Sequence, residues 1–212
     1  MAERANAAGE KRRLILDAAA RVFARSGFHT SRVGDIAEEA GVAHGLLYHY
    51  FSSKDEVLET IFKVHWASVL DGVHEAERAE GSGEDRLRAI TRALFSSWLS
   101  EPDVVRVVIR EIARTAEIEE HVGELVKPIG AIRRVIERGQ ADGEFRRDLD
   151  PDLAAIVFYG GIDEMISGWV LGRVVGDEDS VAAAERHVVE AFCSGLALAD
   201  ERGEARSADV PA

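Results

Sequence analysis

The chain has 212 residues, 46% of them apolar and 31% charged, with one cysteine and a formal net charge of −13. This composition supports a packed core and excludes a disordered chain, and the length is long for one domain but short for two large ones. Cys193 alone excludes an internal disulfide and a cysteine-built zinc site, which points to a reducing, cytoplasmic setting. No apolar run reaches the roughly 18–20 residues of a membrane span. The opening MAERANAAGEKRR has no apolar stretch of a secretory leader, so a soluble chain with no membrane partner is expected. As a whole the acidity argues against nucleic acid, but its distribution does not. Residues 1–54 hold eight Lys/Arg and six Asp/Glu, while the remainder hold 18 and 33. Only the mildly basic head is suited to meet a polyanion.

The pattern is helical almost throughout, with four prolines and no strand-length alternation. A first helix is predicted over residues 10–26, its apolar stripe Leu14, Ile15, Ala18, Val22 and Phe23, with Gly27 as its stop. Short helices follow over 33–40 and 44–50, separated by Gly41. A long fourth helix spans 54–79, carrying Leu58, Ile61, Phe62, His65, Trp66, Val69 and Val73 at helical spacing. Ser82 and Asp85 make a capping box for a fifth helix ending near 99, and Pro102 opens a sixth over 103–115. The seventh, 118–139, should be kinked or divided by Pro128. Asp150-Pro151 opens an eighth to about 171, and a ninth covers 180–199. The fold class expected is all-α: a three-helix head over residues 8–54, a six-helix body over 55–199, and a polar, disordered tail over 200–212.

The two short helices read as a helix–turn–helix, with Val33, Ile36, Ala37, Val42 and Leu47 packing them together. The second is short enough to enter a major groove, presenting His44, Gly45, Tyr48 and His49. Gly45 permits close backbone approach, and Tyr48 has a hydroxyl for a phosphate. Ser31 and Arg32 stand at the start of the preceding helix as phosphate contacts, and Lys54 could clamp another phosphate with the free amides of the fourth helix. Arg12 and Arg13 fit either a phosphate contact or a solvated face, whereas Tyr50 and Phe51 read as core.

Residues 27–58, GFHTSRVGDIAEEAGVAHGLLYHYFSSKDEVL, resemble the N-terminal domain of the TetR family of transcriptional repressors. The matching pieces are Gly27-Phe28, Asp35-Ile36-Ala37, Ala40-Gly41-Val42, Tyr48-His49-Tyr50-Phe51 and Ser53-Lys54-Asp55. The resemblance implies a repressor that binds double-stranded DNA as a homodimer built on helices eight and nine, in which residues 8–54 are the DNA-binding domain and 55–199 the ligand-binding and dimerisation domain. The chain departs from the family at Ala43 and His44, where Ser or Thr followed by Lys is usual. Ala43 is a poor cap and His44 carries little charge at neutral pH, so the operator is less readily guessed.

Helix eight is apolar on several faces, with Leu153, Ile156, Val157 and Gly160 on one and Phe158, Ile162, Met165, Ile166 and Trp169 on others. Helix nine carries Val181, Ala184, Val188, Phe192 and Leu196 in one stripe. A partner subunit or an internal chamber accounts for such patterns, and a two-fold four-helix interface accounts for both; a monomeric core is the alternative. Asp163 and Glu164 interrupt helix eight as interface or pocket-rim groups. Adjacent helical residues point about 100° apart and cannot work as an acid–base pair. No metal-ligand spacing, no nucleophile with a base and no phosphate loop is legible, so neither an enzyme nor a metal or cofactor site is expected.

Residues 139–171 are similar to the same segment of fatty-acid-responsive TetR members of the FadR type, which implies a long-chain acyl-CoA effector and control of fatty-acid metabolism. An acyl chain would then lie among Phe95, Trp98, Ile109, Phe158 and Trp169, with Arg106 and Arg110 beside the coenzyme phosphates. Salt bridges are the plainer use of those arginines. Two other readings stand: a repressor released by an aromatic, steroid-like or other apolar ligand, controlling an efflux or catabolic operon, and, from a different class, an acyl-thioester carrier or enzyme.

Overall fold

The computed structural model describes residues 2–112, 123–124 and 126–196, and these form nine helices and no strand. They are α1 (Ala2–Ser26), α2 (Val33–Glu39), α3 (His44–Tyr50), α4 (Lys54–Arg78), α5 (Gly83–Ser100), α6 (Pro102–Ile112), α7 (Lys127–Asp142), α8 (Pro151–Val170) and α9 (Glu178–Leu196). α1 therefore begins eight residues earlier than its apolar stripe requires. The expected start of helix seven and the tail over 200–212 lie outside the described residues.

Local chemistry sets the helix ends. Ser53 accepts from the Glu56 N–H to cap α4, and Ser82 and Asp85 exchange hydrogen bonds at the start of α5. Asp150 accepts from the amides of Asp152 and Leu153, with Pro151 in the first turn of α8. Pro128 stands in the first turn of α7, where a proline lacks only an N–H that has no partner; residues 123–124 before it are helical, and the rest of the expected seventh helix upstream lies outside the described residues. Gly41, at φ +65, makes the left-handed turn between α2 and α3.

Two cores follow. In the head, Ile15, Ala18, Val22 and Phe23 of α1 pack on Phe28, Ile36, Leu47 and Phe51, and on Val57 and Ile61 from the start of α4. The body core gathers Leu87, Ile90 and Phe95 of α5, Ile132 and Ile136 of α7, Phe158 and Ile162 of α8, and Val189 of α9. α6 joins them: Val107 is buried in the head core, whereas Val105 belongs to the body core. Edges of a helix about 200° apart reach two different cores in this way.

α8 alone, among the described residues, is long and apolar enough by length and composition to cross a membrane, contrary to the sequence reading. Its inward residues Ala155, Phe158, Ile162 and Trp169 lie in the body core, and Asp163 and Glu164 break its apolar course. Its other face is bare: Leu153, Ile156 and Val157 are 64%, 53% and 67% exposed. The stripe of α9 expected to meet a partner instead closes the chain's own core. Val181, Ala184 and Leu196 are buried, and Phe192 meets Phe158 with ring centroids 4.6 Å apart. An amphipathic helix satisfies its apolar stripe on the nearest core, and α5 and α8 provide one.

Candidate nucleic-acid interface and effector cavity

The outer face of the head is built on α3. Leu47 is fully buried beneath it, which turns His44, Gly45, Tyr48 and His49 outward; all four are exposed. His44 and Tyr48, one turn apart, meet edge to face with centroids 5.3 Å apart. A Cβ placed on Gly45 would meet nothing within 4 Å, so the glycine bares backbone on the open face and relieves no crowding. Arg32 is exposed at the start of α2, where its N–H donates to the Asp35 carboxylate at 2.7 Å. These five residues form one solvent-facing set across α2 and α3.

Two expected contacts have other work. The Ser31 hydroxyl is buried and donates to the Gly27 carbonyl at 2.6 Å. The Lys54 ammonium donates to the carbonyls of Phe28 at 2.6 Å and Ser31 at 3.0 Å, reaches that of His29 at 3.5 Å, and lies 4.3 Å from the Phe28 ring centroid. Its three donors are thereby satisfied on the loop before α2. Lys54 is a clamp on that loop and not a free phosphate ligand. Nor is the start of α4 an open anion site. The Glu56 carboxylate accepts the Ser52 N–H and hydroxyl there, and those bonds hold it below the ordinary glutamate range.

Other head arginines are engaged. Arg12 lies 5.1 Å over the Phe51 ring, and Arg21 and Arg25 both donate to Glu39, at 2.8 and 3.1 Å, pulling its pKa down. Arg13 is exposed, 4.0 Å from Asp17.

In the body, a cavity of about 550 Å³ opens between α4, α5, α6, α7 and α8. Its walls are apolar (Trp66, Val69, Leu94, Val105, Ile109, Ile162), with His65, Ser97, Tyr159, Asp163 and Ser167 as polar points. No Lys or Arg lines it among the described residues. Burial pushes the Tyr159 hydroxyl up to about 12, with the Asp163 charge adding to it. Partial desolvation against the cavity wall raises Asp163, although its side chain is largely exposed, with Glu164 as the lesser cause. A second cavity of about 470 Å³ shares Trp66 and is bounded by Phe62, Lys63, Leu70 and His74.

Of the seven residues expected to hold a ligand, only Ile109 lines the larger cavity. Phe95, Trp98, Phe158 and Trp169 are solid core: Trp169 meets Phe95 edge to face at 4.7 Å and stacks on Trp98 at 6.1 Å. Arg106 lies 5.0 Å over the Trp98 ring and donates to Asp103 at 2.8 Å. Arg110 points at the head and donates to the Ala24 carbonyl at 3.3 Å. The largest side chains in a helical bundle are drawn to its centre, whereas a cavity is left where helices diverge, so aromatic content located the core. The cavity wall was nonetheless written in α8 as Tyr159, Ile162, Asp163, Ile166 and Ser167, spaced three and four apart.

The chain is similar to known proteins along most of its length. Residues 15–61 match the family described as bacterial regulatory proteins, tetR family, and residues 84–192 match the tetracyclin repressor-like C-terminal domain. The fatty acid metabolism regulator protein of Bacillus subtilis is 28% identical over 86% of this chain and 93% of its own length. The crystal structure of the regulator FadR from Bacillus subtilis in complex with stearoyl-CoA superposes with a TM-score of 0.72 at 27% identity, covering 86% of this chain and 98% of that one. The HTH-type transcriptional repressor KstR2 of Rhodococcus jostii is 28% identical over 68% of this chain and 72% of its own.

Proposed function

The chain belongs to the TetR family of bacterial regulatory proteins, and from that premise we propose that it is a cytoplasmic, homodimeric repressor of fatty-acid metabolism genes, released from a palindromic operator by long-chain acyl-CoA. One observation carries the release step. α6 bounds the 550 Å³ cavity with Val105 and Ile109 and buries Val107 in the head core. A ligand that fits only one placing of α6 therefore favours one placing of the head. The similarity to a regulator solved with stearoyl-CoA supports an acyl chain in that cavity. Arg106 and Arg110 face elsewhere and hold no part of the coenzyme end. The proposed α3 face reads the groove through His44, Gly45, Tyr48 and His49, with Arg32 on the backbone. The dimer forms on the bare face of α8 with Ala191 and Gly195 of α9 beside it. No catalytic step is assigned to the chain.

A second reading keeps the repressor and changes the effector. Phe62 and Trp66 lie nearly parallel, 11° apart with centroids at 6.1 Å, on the wall of the smaller cavity, and such a wall suits a planar ligand.

Selection of bound DNA followed by titration tests both readings. With three or four phosphates neutralised per half-site, log K against log salt should slope at about −5 to −7. Each buried methylene contributes about 0.8 kcal/mol. Four extra carbons therefore strengthen release by up to about 3 kcal/mol, roughly two orders of magnitude. A flat salt response removes the repressor, and stabilisation by planar compounds with no effect of acyl-CoA at any length removes the acyl effector.

A further inference from the structure

The release mechanism above uses none of the cavity's polar side chains, and among those described only His65 is buried. His65, on α4, is 6% exposed and lines both the 550 Å³ cavity and a groove on the other side of α4, bounded by α1, α5 and α6. Its Nδ1 lies 2.9 Å from Glu101 Oε2. Glu101 lines the groove and not the cavity, and it directly precedes Pro102, the first residue of α6. A carboxylate only accepts, so the ring nitrogen facing it carries the proton, and in the neutral imidazole Nε2 is then an acceptor. Among the described residues Nε2 has no hydrogen-bond partner. Trp169 Nε1, and not His65 Nε2, is the buried polar atom without a partner among the described residues, so Nε2 is an acceptor that the cavity's contents reach, and a ligand donor can take the place of water there.

The rest of the wall narrows what that donor is. Apolar side chains surround it, and the other polar points are Ser97, Tyr159, Asp163 and Ser167. With no cationic side chain among the described lining residues, this chamber suits an uncharged segment of a ligand and not an anionic head. We infer that His65, held by Glu101, is the specificity-determining residue that accepts a hydrogen bond from a neutral donor, a hydroxyl or an amide N–H, carried on an otherwise apolar effector. The proposal rests on the reading of this cavity as the effector site and narrows its occupant to a chain that carries a hydroxyl or amide, since a plain acyl chain and its thioester offer no donor. It also ties the selecting group to Glu101, the residue before α6: a donor on Nε2 polarises the ring and strengthens the Nδ1–H bond to Glu101.

The test uses the DNA-free protein at pH 8 and three ten-carbon probes: 1-decanol, decanamide, and decyl methyl ether, which lacks a donor. One net hydrogen bond makes a donor probe bind roughly five- to tenfold more tightly than the ether. A preference for the alcohol assigns a hydroxyl, and one for the amide assigns an amide N–H. The His65 Nε2 nitrogen resonance moves with the preferred probe and not with the ether. In His65→Phe the preference disappears while the ether still binds. Glu101 has a half-exposed side chain, so Glu101→Ala leaves the fold intact, and it weakens the preference by releasing the ring. Equal binding of all three probes, binding of none, or a preference that survives His65→Phe overturns the proposal. Because no operator enters these titrations, failure of acyl-CoA to release DNA would count against the acyl-CoA effector alone, and a flat salt response against the repressor alone.

Discussion

Lys54 shows how a residue's partners decide its use. A lysine at the first position of a helix suits a phosphate, yet its ammonium is held by three carbonyls of the loop that sets up α2. Lys54→Met should lower stability by about 1.5–3 kcal/mol, the range for hydrogen bonds to a charged group, as read from urea melts. DNA binding should weaken alongside, through the misplaced α2 and not through a lost phosphate contact. An unchanged melt with weakened DNA binding would return Lys54 to the interface. Asp163 makes the opposite case, a carboxyl whose surroundings oppose its charge. Its folded pKa is raised by partial desolvation and then by Glu164, so between the ordinary aspartate value and the raised one the folded state holds more protons than the unfolded state. Stability contributed by this group therefore rises as pH falls through that window. Asp163→Asn should be more stable than the parent near pH 7, and the gain should vanish near pH 4. Thermal melts across that range would show a parallel, pH-independent offset if the charge were unstrained.

At the scale of elements, α3 and α6 carry the functional argument by having two faces each. α3 anchors on Leu47 and offers His44, Tyr48 and His49 outward, a division that helical geometry enforces once Gly41 has made its left-handed turn. Tyr48 is 51% exposed, so Tyr48→Phe leaves the packing unchanged. Its loss should be about 1–2 kcal/mol in DNA binding and nearly the same on every operator variant, because a phosphate contact positions without specifying. His44→Ala should instead shift which bases are preferred, measured by selection of bound DNA. If neither substitution alters binding, the groove-facing side of α3 lies elsewhere. α6 is the counterpart inside the molecule, with Val107 in one core and Val105 in the other.

For the whole molecule, the uncovered surface of α8 is the feature that a single chain leaves unexplained. Leu153, Ile156 and Val157 lie more than half exposed beside Ala191 and Gly195 of α9, and small residues there allow close approach of another helix pair. Val157 packs on little within the chain, so Val157→Glu should preserve the fold and its melting while shifting sedimentation toward monomer. Operator affinity should fall with it, since two heads must be held about 34–36 Å apart. A variant that stays dimeric would place the interface on another surface.

Much was legible in order along the chain. Helix-stop glycines, capping residues and apolar periodicity are local signals, and the structure bears out the all-α class and the helix–turn–helix from them. The exposed set Arg32, His44, Gly45, Tyr48 and His49 was legible for the same reason, since a buried Leu47 settles which side of a seven-residue helix faces out. What depended on three-dimensional neighbours was not. Pro128, expected to kink or divide helix seven, stands in the first turn of α7, and most of the chain expected before it lies outside the described residues. α9's stripe could meet a partner or its own bundle, and the packing of α5 and α8 settled that. Aromatic side chains and arginines were read as a ligand site from their type. In the fold Phe95, Trp98 and Trp169 fill the centre and Arg106 and Arg110 find internal partners, while the cavity lies where α4 to α8 diverge. Periodicity tells which side of a helix is apolar, but whether that side meets a side chain, a partner or a cavity depends on helix spacing, which is set by packing among residues far apart in sequence.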